Sequence, residues 1–375
     1  MNAPRQRSVE IDFFRGMVLI VIALDHIAGS VLSRFTLHSW AVCDAAEVFV
    51  YLGGYASAAA FGALHARRDA TFASRRFVRR AAEIYRAYLF MAALMVGIGL
   101  LWRCLPLSVT PAYHLSEAET FLRRPLAMLG DVLGLRRQPY LASVLPMYAC
   151  FALVTPWLVQ GMRRAPYRTL GLSLLCWLAA PWLAGGLPSA YPEGWAFNPF
   201  AWQLMFVCGV LTRVHPVPCA AQTSAGGQAL TRIAIVLGLG FAIWQLFLTP
   251  EPLPGYMKQN LSLVRVLDFL ALAWLAAQAV RLGWVRSLAR RLPAVVTVGR
   301  NSLPCFVGGA VLSLFLEAIL ASLRTAGFAP LPGGLGADLV AIAAMLAIGA
   351  VAERHRRAQA ELRAAACLGP QRPRR

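Results

Sequence analysis

The sequence predicts an all-α fold, a polytopic membrane bundle of about ten transmembrane helices with both termini in the cytoplasm, and three observations predict it. Of the 375 residues, 58% are hydrophobic and only 14% are charged, whereas soluble domains carry about a quarter charged residues. Apolar segments recur that are long enough to cross a hydrocarbon core of about 30 Å, which takes roughly 20 residues of helix. They run over 12–33, 41–64, 82–103, 141–161, 168–187, 196–213, 230–249, 261–282, 298–322 and 335–353. Most of the 36 Lys and Arg fall in alternate connections, the positive-inside pattern that sets orientation.

Each segment reads in order. The first follows a short polar start and is too long, and too charged within, to be a cleavable signal. The second ends in a basic run, Arg67, Arg68, Arg75, Arg76, Arg79, Arg80 and Arg86, which leads into the third. Beyond the third comes the longest outer stretch, 104–139, where Ser116 is placed to cap a short amphipathic surface helix. Turn-rich residues 185–199 separate the fifth and sixth segments, and 214–229 is a flexible inner connector. Arg286, Arg290 and Arg291 mark the inner end between the eighth and ninth, and a basic tail, 354–375, follows a membrane domain spanning 1–353. The net charge of +19 is therefore assigned to anionic lipid headgroups rather than to nucleic acid. The eight cysteines form no CxxC pair and no metal-ligand spacing, so no metal is expected.

Ionisable residues inside a span need partners, because each costs on the order of 2.5 kcal/mol or more at bilayer depth. The first span carries Asp12, Arg15, Asp25 and His26; the second Asp44 and Glu47; the eighth Arg265 and Asp268; the ninth Glu317. His26 lies eleven positions after Arg15, three helical turns to within about 20° and roughly 16 Å along the axis, so the two share a face with Asp12. Asp44 and Glu47 share a face near the outer end of the neighbouring antiparallel span, where either carboxylate can orient His26 as a general base. Asp12 is expected to pair with Arg15, and Arg265 with Asp268. Asp25 projects about 100° from His26 and is read as structural. Arg15, Arg79 and Arg86 suit the phosphates of a donor entering from the cytoplasm, since guanidinium binds phosphate bidentately. Gly16 permits close approach of a helix or ligand. Gly53 and Gly54 either leave space beside His26 or belong to a small-residue packing face.

The motifs DFFRG (12–16) and DH (25–26), followed by DAAEVFVYLGGY (44–55), NPFAWQLMFVCG (198–209), KQNLSLVRVLDFLALA (258–273) and VGRNSLPCFVGG (298–309), resemble the OpgC family, within the wider group of membrane acyltransferases that includes the acyltransferase-3 family. In that group an Arg and a His with ten residues between them on the first helix form the signature. The resemblance assigns it to Arg15 and His26, with the His catalytic and inner arginines associated with a CoA donor. OpgC proteins are implicated in succinylating osmoregulated periplasmic glucans of Gram-negative bacteria. One departure is that Gly53-Gly54 stands where these families usually carry Ser-Gly.

The resemblance and the residues together predict an O-acyltransferase of the bacterial inner membrane. Its donor would be a cytoplasmic acyl-CoA, succinyl-CoA by resemblance, used as a co-substrate with no permanently bound cofactor. Its acceptor would be a hydroxyl of a periplasmic glucan or other glycan. His26, oriented by Glu47 or Asp44, is the expected base; Trp202, Gln203, Asn301 and Ser302 are candidates to stabilise the oxyanion, and Lys258 and Arg265 are placed with them at the substrate. No GxSxG nucleophile motif appears, which favours direct transfer over an acyl-enzyme. The alternative is a proton-coupled transporter in which Asp12, Arg15, His26 and Glu47 line the path.

Overall fold

The computed structural model describes residues 8–104, 112–248 and 254–368, with the side chains of 112–116 and 363–368 excluded. Every regular element among them is helical. In chain order they are α1 (Val9–Asp25), α2 (Leu37–Trp40), α3 (Ala45–Arg67), α4 (Ala70–Cys104), α5 (Ala112–Arg123), α6 (Pro125–Leu133), α7 (Val144–Arg164), α8 (Pro166–Leu183), α9 (Pro199–Val214), α10 (Cys219–Thr223), α11 (Ala225–Ile243), α12 (Gly255–Gln259), α13 (Leu263–Arg281), α14 (Trp284–Arg291), α15 (Pro293–Arg300), α16 (Ser302–Thr325) and α17 (Pro330–Leu368), with short 3-10 turns between some of them.

Ten of these helices occupy the ten expected segments. Eight candidate spans are long and apolar enough to cross a membrane, while α9 is a shorter apolar helix and α1 has 17 residues. Helix starts follow their capping residues. Asp44 accepts from Ala46 N and Glu47 accepts from Asp44 N, a reciprocal capping box that starts α3. Asn198 and Ser224 likewise cap α9 and α11.

The outer stretch folds into two short helices, α5 and α6, rather than one beginning at Ser116. Ser116 lies inside α5, and its capping side chain falls outside the described residues. Of the basic tail, 354–368 continues α17 without a break, and 369–375 lies outside the described residues.

Close backbone approach sets the packing. A Cβ on Gly54 would strike the Phe206 carbonyl and one on Gly209 the Tyr51 carbonyl, so α3 and α9 touch main chain to main chain. Gly16 meets Val295 and Gly299 meets Asp12 in the same way, which seats α15 on the N-terminal half of α1. Gly16 therefore admits a helix. Gly54 belongs to a packing face, and Gly53 lies against the ring of Tyr148. At the N-terminal end of α1, Asp12 accepts from Arg300 Nε (3.3 Å) and Asn301 donates to Glu353 (3.1 Å). The start of α1, the end of α15 and the basic half of α17 thus share one end of the bundle. The opposite end gathers the connections 26–44, 134–143, 184–198 and 254–262.

Candidate active site

At that opposite end a cavity of ≈ 300 Å³ descends into the bundle. Its polar lining is Asp25, His26, His38, Asp44, Tyr140, Ser143, Lys258 and Ser313; Leu19, Ile22, Phe49, Val144, Phe197 and Phe306 supply much of the rest. His26 is the residue on which α1 ends. Its Nδ1 lies 2.6 Å from the Ile22 carbonyl oxygen. A carbonyl only accepts, so Nδ1 carries the proton and Nε2 keeps its lone pair, the tautomer a general base requires. The ring meets Tyr140 edge to face at 5.9 Å.

Beside it sits a closed charge cluster. Arg265 donates from Nε to Glu47 Oε1 at 2.5 Å and pairs through Nη2 with Asp44 Oδ2 at 3.0 Å. Lys258 Nζ reaches the same Asp44 oxygen at 2.7 Å. Glu47 is fully buried, while the Lys258 side chain remains 42% exposed. Both cations thus meet one Asp44 oxygen, while the other accepts from Ala46 N at 2.7 Å.

This arrangement corrects several sequence expectations. Neither Glu47 nor Asp44 orients His26; the Ile22 carbonyl does, because both carboxylates are taken by cations. Arg265 does not pair with Asp268, whose Oδ2 instead accepts from Val42 N (2.7 Å) and Cys43 N (2.9 Å) and fixes the approach to α3. Trp202 is buried and donates to the carbonyls of Lys258 and Gln259 (3.1 and 3.2 Å), so it positions α12 and its lysine without lining the cavity. Gln203 is spent on Ser173 of α8 (2.7 and 2.8 Å). Asn301 and Ser302 lie at the other end of the bundle, where Ser302 donates to Gly299 O at 2.6 Å. None of these four faces the cavity, so none can stabilise an oxyanion there.

A family model described as OpgC protein matches residues 7–357. The chain belongs to the OpgC family. No curated protein and no solved structure matches it. In this OpgC-family chain three of the resembling motifs furnish the cavity directly, through Asp25 and His26, through Asp44 to Phe49, and through Cys305 to Gly309; Lys258 comes from a fourth.

Arg15 is half-buried on α1 and is not among the residues that line the cavity; it is close enough to act electrostatically on the buried Tyr148 hydroxyl. Arg79 and Arg86 are exposed on α4 and do not line the cavity; Arg86 Nε reaches its own helix at Ala82 O (3.3 Å). Glu83 is engaged by Arg76 and Arg80 (2.8 and 3.3 Å), which leaves Arg79 outside that cluster.

Sequence reasoning missed His38. Asp25, read as structural, accepts from Thr36 Oγ1 at 2.6 Å and lies 3.2 Å from His38 Nδ1. A DH pair with a histidine twelve residues on was the available signal. Only the turn of the chain through α2 brings that histidine back over α1.

Proposed function

We propose that this protein is a membrane O-acyltransferase that moves an acyl group, succinyl by family likeness, from an acyl-CoA on the Arg-rich side to a hydroxyl of a glycan on the other. The observation that carries this reading is His26, whose Nδ1 is tied to Ile22 O in a cavity at the end of the bundle away from the basic runs of α4, α14 and α17. OpgC membership suggests acyl transfer, and the site has the parts that reaction uses.

The acceptor hydroxyl gives its proton to His26 Nε2 as its oxygen attacks the thioester carbonyl. The tetrahedral intermediate then collapses, the C–S bond breaks with its electron pair on sulfur, and the thiolate takes the proton back from Nε2. The Arg-rich side is read as cytoplasmic in a bacterial inner membrane, with Arg15, Arg79 and Arg86 serving the donor phosphates along that face. The glycan approaches the outer loops, where Lys258 and the rings of Phe197 and Tyr140 meet it.

Purified protein supplied with succinyl-CoA and a β-glucan should release free CoA and yield acylated glucan, and His26→Gln should lower that rate at least 10²-fold, the lower end of what a general base contributes. Retention of full activity by His26→Gln would remove this residue from the chemistry. Solute uptake into liposomes with no CoA release would replace the reading with a transporter.

A further inference from the structure

Acyl transfer needs a donor for the negative charge that forms on the thioester carbonyl oxygen, and the four residues that sequence offered for it point elsewhere. Among the polar side chains lining the cavity, Ser143 Oγ donates to Tyr140 O (2.8 Å) and Ser313 Oγ to Ala310 O (2.9 Å), so both hydroxyl protons are engaged. Lys258 gives one proton to Asp44 and turns its remaining donors to the glycan side, and the Tyr140 ring stands edge to face against His26, the base. His38 remains. Its Nδ1 is flanked by Thr36 Oγ1 (2.8 Å) and Asp25 Oδ1 (3.2 Å), which places a proton on Nδ1, while Nε2 lies 3.5 Å from Ser39 Oγ, at the limit of a hydrogen bond, and is the working nitrogen.

Two imidazoles therefore line one cavity with the same nitrogen anchored to different partners. His26 is tied to a neutral carbonyl and His38 to a carboxylate, so a second proton is favoured on His38. Pairs of titratable groups whose surroundings differ in this way divide acid and base roles between them.

Resting on the acyltransferase reading, we propose that His38, held by Asp25, is the oxyanion donor of this cavity and so a second catalytic residue. As the hydroxyl oxygen bonds to the thioester carbon, the carbonyl π electrons move to oxygen, which accepts from His38 Nε2–H. When the C–S bond breaks, the C=O bond reforms and His38 keeps its proton; the proton delivered to sulfur is the one His26 removed.

The Asp25 hydrogen bond raises the His38 pKa above the ordinary histidine value; Asp44 adds to the rise, while partial burial and Lys258 oppose it. Activity carried by protonated His38 must therefore fall as pH rises through that value. The rising limb at lower pH belongs to deprotonation of His26.

The experiment follows CoA release by purified protein, with succinyl-CoA and a β-glucan, across pH for wild type, His38→Gln and Asp25→Asn, each checked for an unchanged thermal midpoint. His38→Gln should lose about 10²–10³-fold in kcat, with little change in either KM, and should lose the falling alkaline limb. Asp25→Asn removes the charge that favours the imidazolium, so its limb should move to lower pH. Wild-type kcat in His38→Gln, or an unchanged alkaline limb in both folded variants, overturns the role of His38 and leaves His26 untouched. Absence of CoA release from wild type itself overturns this inference together with the reading beneath it.

Discussion

Arg265 holds two carboxylates inside the bundle, and that single side chain explains why Glu47 and His26 do not meet. Asp44 and Glu47 lie on the helix next to His26, near the same end, so a carboxylate–imidazole contact is the natural reading from two spans alone. A cation from α13 wins the competition, because a full charge offsets the cost of burying Glu47 better than a neutral ring does. Removing one partner of such a buried set typically costs about 3–5 kcal/mol, as the remaining charge is left unpaired. Arg265→Met should therefore lower thermal stability sharply in detergent. The double variant Arg265→Met with Glu47→Met should recover much of the loss, and equal melting points for the single and double variants would show that the pair is not coupled. The pairing was not legible in the sequence, since Glu47 and Arg265 are 218 positions apart. The shared face of His26 and Arg15, by contrast, was legible, because it needs only the helical repeat.

At the scale of elements, glycine spacing marks where main chains touch but not which neighbour supplies the contact. Gly53 and Gly54 read equally as open space and as packing. The structure gives Gly54 to the Phe206 carbonyl of α9, while Gly97 on α4 faces no atom within 4 Å. Gly54→Ala should destabilise the protein by about 1–3 kcal/mol, the usual cost of overpacking. Gly97→Ala should be neutral or stabilising by up to about 1 kcal/mol through helix propensity. Thermal unfolding of the two variants side by side tests this, and equal midpoints would contradict the α3–α9 contact. The long helices themselves were legible because a span must be apolar over roughly 20 residues. Their ends were less so. Thirty-five residues make α4 about 52 Å long, more than a hydrocarbon core, so its first turns, which bear the arginines, project beyond the apolar segment.

For the whole molecule, alternating basic connections led to a bundle with both termini on one side, and the contacts among Asp12, Arg300, Asn301 and Glu353 bring the start of α1 and the basic half of α17 to one end. The cavity opens at the other end, formed by loops that sequence could count but not fold over one another. This separation gives the central claim its form: donor on the Arg-rich side, acceptor on the cavity side, His26 between them. The most direct measurement uses inside-out membrane vesicles containing the protein, with a β-glucan trapped in the lumen and succinyl-CoA added outside. The lumenal glucan should gain a succinyl ester, detected by its mass, as free CoA appears outside, and vesicles carrying His26→Gln should show neither. CoA release that leaves the trapped glucan unmodified, or equal ester formation in His26→Gln vesicles, would contradict the account.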